Sequence, residues 1–355
     1  MSKKITVALI FGGRSAEHEV SLISATAVHK NLDKSKFDVL SIYVTKDGLW
    51  KTVPAPAAHP MDLAGGEAFS FLPWQVRGLV EKVPADIYFP VLHGPFGEDG
   101  TIQGLLEMAG VPYVGAGVLG SALGMDKASA KALLHERGLP VVPWLAVREC
   151  EWREDRAGIL RRVRRGFALP FFVKPSNLGS SIGITKVKDR AETETALDTA
   201  FRYDAKVLVE KGIRGREIEC SVLGNDLPEA SLPGEVVPFR EFYDYRDKYL
   251  EGKTGFVIPA RLPRVLTSRV RRLAVEAFRA LDVAGMARVD FFIESRTGRL
   301  FVNEVNTIPG FTEISMYPRL WEASGLPFPR LVERLVALGL ERHRARKACL
   351  DRGLG

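Results

Sequence analysis

MARVDFFIESRTGRLFVNEVNTIPGFTEIS, residues 286–315, reads as a strand, a tight turn, a second strand and a polar loop, with charge where a core strand should not carry it. In the first strand Val289, Phe291 and Ile293 alternate with Arg288, Asp290, Phe292 and Glu294, so Arg288 and Asp290 share a face. In the second, plain alternation puts Glu304 and Asn306 on one face with Leu300 and Val302. A three-residue loop of Arg296, Thr297 and Gly298, with Gly298 left-handed, pairs Ser295 with Arg299 and sets Asp290 opposite Glu304 and Arg288 opposite Asn306. A four-residue loop would separate them. Two opposed carboxylates repel unless a hard cation takes oxygens from both. Asn306 adds a neutral oxygen, and with no His or Cys nearby the set suits magnesium or manganese rather than zinc. The competing reading is a half-solvated hairpin whose charges pair with lysines.

The neighbouring stretches give this hairpin a setting. Val270, Leu273, Ala274, Ala277, Phe278 and Leu281 form a helical stripe ending at Gly285, a core helix behind the hairpin. FREFYDYRDKYLEGKTGFVIPARLP, residues 239–263, has Phe242, Tyr243, Tyr245 and Tyr249 without a steady period and reads as a long loop, either a lid or a loop packed down by its tyrosines. PFFVKPSNLGSSIGITKV, residues 170–187, places Lys174 at the end of an apolar strand before a Gly/Ser loop and another strand. That loop is either a glycine-rich cover over phosphates or an ordinary hairpin turn. In VLVEKGIRGREIEC, residues 207–220, Glu210, Lys211 and Glu217 follow an apolar run, where strand-end groups could read an adenine edge and Glu217 accept ribose hydroxyls. GSALGMDKASAKALLHERGLPVVPW, residues 120–144, reads as a helix closed by Gly138 and Pro140 and leading into a strand, and Lys127 within it reads most simply as a helix-surface lysine.

The first third alternates in the rhythm of a parallel sheet covered by helices. Strands fall at 5–11, 37–45, 86–92 and near Val111, helices at 16–31 and 101–108, and a Pro-, Ala- and Gly-rich surface insertion at 53–84. Ligands in such a sheet sit beyond the carboxyl ends of its strands, where FGGRSAEHEVS and LHGPFGEDG both lie. Glu17 is there a ligand to substrate or a helix-start carboxylate, and His93 a general base or a loop-ordering hydrogen bonder.

Composition bounds the function. The 355 residues, 46% hydrophobic and 26% charged, suffice for two or three domains with real cores. The first apolar run, Ile5 to Phe11, ends in two glycines and is a buried strand rather than a leader, and no run is long enough to span a membrane. Three widely spaced cysteines fit neither a disulfide framework nor a zinc site, and suit a cytoplasmic protein. A net charge of +7 suits an anionic ligand. Basic residues are dispersed and no nucleic-acid motif accompanies them, so no nucleic-acid partner is expected.

In order, GGRSAEHEVS, LHGPFGEDG, GMDK, VKPSNLGSSIG, EKGIRGRE, FYDYRDKY, RVDFF and NEVNTIPGFTEIS resemble the D-alanine--D-alanine ligases of the ATP-grasp superfamily, from Gly12 to Ser315. The resemblance implies an α/β fold in three parts: a Rossmann-like parallel-sheet domain (1–126), a central ATP-grasp domain (127–212) and a C-terminal ATP-grasp domain (213–355), clasping ATP between the last two. It implies a homodimer that joins two D-alanines through an acyl phosphate for peptidoglycan synthesis. Lys127, Lys174, Ser180, Ser181 and Lys248 would hold the ATP phosphates, and Glu210, Lys211, Ile213 and Glu217 the adenosine. Gly212 stands where many members have an aromatic. Asp290, Glu304 and Asn306 would hold two magnesium ions, with manganese as substitute. Arg288 and the backbone near Gly310 would stabilise the oxyanion, Glu17 fix the first ammonium, His93 sit at the substrate, Ser315 bind the second carboxylate, and Ser180 and Tyr249 link lid to site. The alternatives are a ligase taking D-lactate or D-serine second, or a non-catalytic basic nucleotide or RNA binder.

Overall fold

The computed structural model describes residues 3–63, 65–70, 77–179, 182–237 and 254–353. A first layer is built from β1 (Ile5–Gly12), α1 (His18–Asn31), β2 (Phe37–Val44), β3 (Trp50–Val53), β4 (Glu67–Phe69), α2 (Arg77–Lys82), β5 (Ile87–Val91) and α3 (Thr101–Met108). Its sheet runs β4-β3-β2-β1-β5, with β2, β1 and β5 parallel. Val7 to Phe11 are all buried, which is why β1 reads as a continuous apolar run rather than an alternating one. The expected strand near Val111 is a single parallel bridge from Tyr113 to Tyr88. The stretch 53–84 is less of an insertion than its composition suggests, because β4 pairs antiparallel with β3, and β3 with β2, so the sheet is mixed at this edge.

α4 (Val118–Met125) and α5 (Lys127–Glu136) lead into a second, antiparallel sheet. It comprises β6 (Trp144–Arg148), β7 (Phe171–Pro175), β8 (Thr185–Val187) and β9 (Lys206–Lys211), ordered β6-β9-β7-β8 and backed by α6 (Glu149–Glu154), α7 (Arg156–Gly166) and α8 (Thr193–Phe201). Asp126 caps α5, accepting from Ser129 N at 2.9 Å and from Ser176 Oγ at 2.9 Å, and it pairs with Lys206. One carboxylate thus ties the start of α5 to the base of the Gly/Ser loop. Gly138, with φ +75°, turns the chain out of the helix.

The third sheet is antiparallel. It takes β10 (Gly215–Gly224), β11 (Glu229–Ala230), β12 (Gly234–Val237), β13 (Gly255–Val257), β14 (Gly285–Glu294) and β15 (Leu300–Asn306) in the order β13-β12-β10-β14-β15, with β11 beside β10. β13 falls within the stretch read from sequence as a long loop. α9 (Arg264–Ala280) buries Val270, Leu273, Ala274, Ala277 and Phe278 against β10, β14 and β15, and the stripe expected from the sequence is its buried face.

The hairpin of β14 and β15 closes differently from the expectation. Gly298 is left-handed (φ +67°), but its N–H donates to Glu294 O and Ile293 pairs with Leu300, so the loop has four residues, 295 to 298, and Ser295 does not pair with Arg299. That loop alone would put Glu304 out of register with Asp290. A β-bulge restores it: Phe291 pairs with Val302 and Asp290 with Glu304, leaving Asn303 as the extra residue. The bulge also reverses the facing expected for β15. Leu300, Val302 and Val305 pack in the core with Val289, Phe291 and Ile293, while Glu304 and Asn306 turn to the opposite face with Arg288 and Asp290.

The chain then forms α10 (Met316–Ala323) and α11 (Phe328–Gly353). The tail, without a motif in sequence, is structural. Leu331, Val332, Leu335, Val336 and Leu338 are buried in one cluster with Val7, Leu9, Phe11, Leu22 and Val28 of the first layer. Among the described residues no helix is long and apolar enough to cross a membrane.

Candidate active site

A cleft of about 1340 Å³ opens where the three sheets meet. That exceeds the roughly 300–1,000 Å³ of a pocket for one small ligand, so there is room for several. One wall comes from the second sheet and α5. The Lys174 ammonium, on β7, lies 2.7 Å from Glu210 Oε2 on β9, and Lys131, on α5, lies 2.7 Å from the other oxygen of Glu210. Burial pushes the Glu210 carboxyl up, but the two lysines outweigh it and hold it below its ordinary value. Lys127 is not the surface lysine its helix position suggested. Its side chain is only 11% exposed, donates to Leu178 O at 2.6 Å and stands 3.7 Å from Glu304. Lys211 Nζ is 2.9 Å from Glu294 Oε1, and Lys211, Gly212, Ile213 and Glu217 line the cleft's edge.

The facing wall belongs to β10, β14 and β15. Their registers place Glu219, Asp290 and Glu304 side by side on adjacent strands. Arg288 donates to Asp290 from Nε and from Nη2, both at 2.7 Å, and stands 3.0 Å from Glu219. Burial pulls the Arg288 guanidinium down, but Asp290 and Glu219 overcome it and hold it well above its ordinary value, so it keeps its charge. Asn306 Nδ2 donates to Asp290 Oδ2 at 2.9 Å, which leaves Oδ1 as the amide's oxygen donor. Among the described residues no three acidic, His or Cys side chains converge as a closed metal cage. A carboxylate pair completed by phosphate oxygens and water is how magnesium is held, and an all-oxygen, open donor set fits it.

The third wall comes from the first layer. Glu17, just before α1, is buried, and its carboxylate reaches Gly94 of the LHGPFGEDG loop and Gly179 of the Gly/Ser loop. A Cβ on Gly179 would lie 3.0 Å from Glu17 Oε2, and one on Gly94 would collide with it. Both ring nitrogens of His93 are committed. Nδ1 is 3.0 Å from Ile308 O, which only accepts, so it carries the proton, and Nε2, 3.0 Å from Ser24 Oγ, is the acceptor. Burial holds this imidazole below its ordinary value. His93 is therefore placed to order the 308–311 loop. Gly310 sits where a Cβ would lie 2.8 Å from Ser315 Oγ, and Ser315 stands at the start of α10 with its hydroxyl turned back to Thr312, whose N–H donates to it at 3.0 Å, rather than capping the helix.

Sequence reasoning missed Glu98 and Glu219, which line this cleft, and Lys131, buried behind its wall. Glu98 accepts from Gly94 N at 2.8 Å and from Ile308 N at 3.0 Å, and burial first, then the charge of Glu17, pushes its carboxyl up to about 8. It lay in plain sight in LHGPFGEDG. Lys131 was legible as a lysine one turn beyond Lys127, on the same helix face. Glu219 follows Glu217 by two and so shares its face of β10. Of the residues expected at the site, Ser180, Ser181, Lys248 and Tyr249 lie outside the described residues, as do Phe242, Tyr243 and Tyr245.

Cations on a small antiparallel sheet, facing carboxylates on a larger one across a nucleotide-sized cleft, define an ATP-grasp ligase. The model of the D-ala D-ala ligase N-terminus matches residues 6–116 and that of the D-ala D-ala ligase C-terminus residues 133–337. The chain belongs to the D-alanine--D-alanine ligase family. It is 49% identical to the D-alanine--D-alanine ligase of Solibacter usitatus, over 97% of this chain and 98% of the relative, and 46% identical to that of Acetivibrio thermocellus, with the same coverage of both. Among solved structures, the D-alanine-D-alanine ligase from Coxiella burnetii superposes with a TM-score of 0.87 at 37% identity, covering 99% of this chain and 98% of that one. A D-Ala:D-Ser ligase from Enterococcus faecalis gives 0.84 at 35% identity, covering 95% and 100%.

Proposed function

We infer that the chain joins two D-alanines to D-alanyl-D-alanine with ATP, forming ADP and phosphate. The observation that carries this reading is the opposition, across one cleft, of Lys127, Lys174 and Glu210 on one side to Arg288, Asp290, Glu304 and Asn306 on the other. Lys127 and Lys174 supply charge for the ATP phosphates, and Glu210, Lys211, Ile213 and Glu217 border the adenosine. Asp290, Glu304 and Asn306 would hold magnesium, which supplies charge neutralisation on the transferred phosphoryl group. A carboxylate oxygen of the first D-alanine attacks the γ-phosphorus as ADP departs, giving an acyl phosphate. The amine of the second then attacks the acyl carbon, phosphate leaves, and the surplus proton goes to solvent.

Glu17 holds the first ammonium, with Glu98 beside it. Two of the five Arg288 donors are spent on Asp290, and the others serve the oxyanion with the backbone near Gly310. Ser315 and the start of α10 receive the second carboxylate. The three described cysteines are free, which suits a cytoplasmic setting. D-Serine as second substrate is not favoured, since the D-Ala:D-Ser ligase is 35% identical and the D-alanine--D-alanine ligases of Solibacter usitatus and Acetivibrio thermocellus 49% and 46%.

The test is phosphate release with ATP, magnesium and D-alanine, with D-serine and D-lactate as competing acceptors and products separated by mass. D-Alanyl-D-alanine should dominate, and Glu304→Ala should stop turnover while leaving the fold intact. Full activity of Glu304→Ala would sink the metal reading, and a dominant mixed product would overturn the substrate.

A further inference from the structure

Lys131 is 1% exposed, and no step above uses it. Its ammonium has two partners: Glu210 Oε1, 2.7 Å away, and the carbonyl of Asn303, to which it donates at 3.0 Å. The other oxygen of Glu210 is 2.7 Å from Lys174 Nζ. The result is a buried Lys–Glu–Lys chain in which one carboxylate is shared by two ammonium groups.

Sharing has a consequence for binding. A buried carboxylate with a single ammonium partner holds it fast, because drawing the partner away leaves an uncompensated charge in a low-dielectric setting. Lys174 would then be locked to Glu210, and a phosphate could recruit it only at that cost. Lys131 removes the difficulty. It cannot follow an incoming anion, since it is walled in and anchored to the Asn303 carbonyl, so Glu210 stays neutralised whichever anion Lys174 faces.

We propose that Lys131 is a positioning residue whose fixed charge on Glu210 releases Lys174 to the polyphosphate of the nucleotide. The inference rests on the reading of the cleft as an ATP site. Its test compares the dissociation constants of ATP and adenosine, by calorimetry, for the wild type, Lys131→Met and Lys131→Met combined with Glu210→Gln. Lys131→Met should weaken ATP by roughly tenfold or more while adenosine changes far less. Adding Glu210→Gln removes the carboxylate that traps Lys174 and should return the ATP-to-adenosine ratio toward the wild-type value. Equal losses for both ligands would mark Lys131 as packing only, and an unchanged ATP constant, or a ratio that Glu210→Gln fails to restore, would likewise overturn the proposal. A wild type that binds no ATP strikes the reading of the cleft instead. Should Lys131→Met not fold, Lys131→Arg keeps the charge and should hold the wild-type ratio; a tenfold shift would again overturn the proposal.

Discussion

Glu98 shows how one side chain can make stability depend on pH. Its carboxyl, ordinarily near 4.5, is pushed up to about 8 by burial and by Glu17. Between those values the unfolded chain has lost this proton while the folded chain keeps it, so the folded state binds more protons and stability falls as pH rises. Glu98→Gln removes the titrating group. The melting temperature of the ligand-free protein should therefore decline less between about pH 5 and about pH 8 in Glu98→Gln than in the wild type. Identical slopes would show that Glu98 ionises normally in the fold. An ammonium placed beside Glu98 favours its ionised form, so D-alanine binding at neutral pH should release a proton from Glu98, which calorimetry in buffers of different ionisation enthalpy would register.

At the scale of the element, the hairpin shows what the sequence disclosed and what it hid. The pairings Asp290–Glu304 and Arg288–Asn306 were legible, and both stand. The route to them was not. Leu300, Val302, Glu304 and Asn306 are evenly spaced, so strict alternation sends all four to one face, yet two are apolar and two polar. The spacing of the apolar set, 300, 302, then 305, carries the signal of the extra residue. Local periodicity found β1, β2, β5, β14, β15, α1, α3 and the stripe of α9 but not β4 or β13, and Glu98, Glu219 and the buried Lys131 owe their places in and behind the cleft to contacts between elements, which periodicity does not encode.

Deleting Asn303 tests the bulge directly. Val302 and Glu304 would then alternate regularly and the hairpin should still fold, but the strand straightens and Lys131 loses its carbonyl partner. Catalytic rate should fall by about 10²-fold, the cost of misplacing a catalytic group by an ångström or so, with cooperative melting retained. A deletion variant with full rate would make the bulge mere filler.

On the scale of the molecule, α11 fastens the chain's end to its beginning. Arg342 lies 4.3 Å above the Tyr113 ring, donates to Gly115 O and to Tyr113 O, and has Glu107 within its charge field, while Arg346 pairs with Glu107. Arg342→Ala would strand two carbonyls and remove the ring contact. Denaturant melts should show a loss of about 1–3 kcal/mol, with the Michaelis constant for ATP unchanged, since the contact is remote from the lysines of the cleft. A loss in ATP affinity instead would mean that α11 governs the cleft.

The burial of Leu331, Val332, Leu335, Val336 and Leu338 beside Val7, Leu9 and Phe11 also bears on how the protein is made. A ribosome delivers β1 early and α11 only after nearly all the rest of the described chain. Until then only α1, through Leu22, Ala25 and Val28, covers the apolar flank of the first sheet, and the nascent polypeptide carries the rest of it exposed through the synthesis of both later sheets. Most domains can settle in the order in which they emerge. Here the first layer to leave the exit tunnel is among the last to be finished, and that interval is when the chain is most open to holdase chaperones and to self-association.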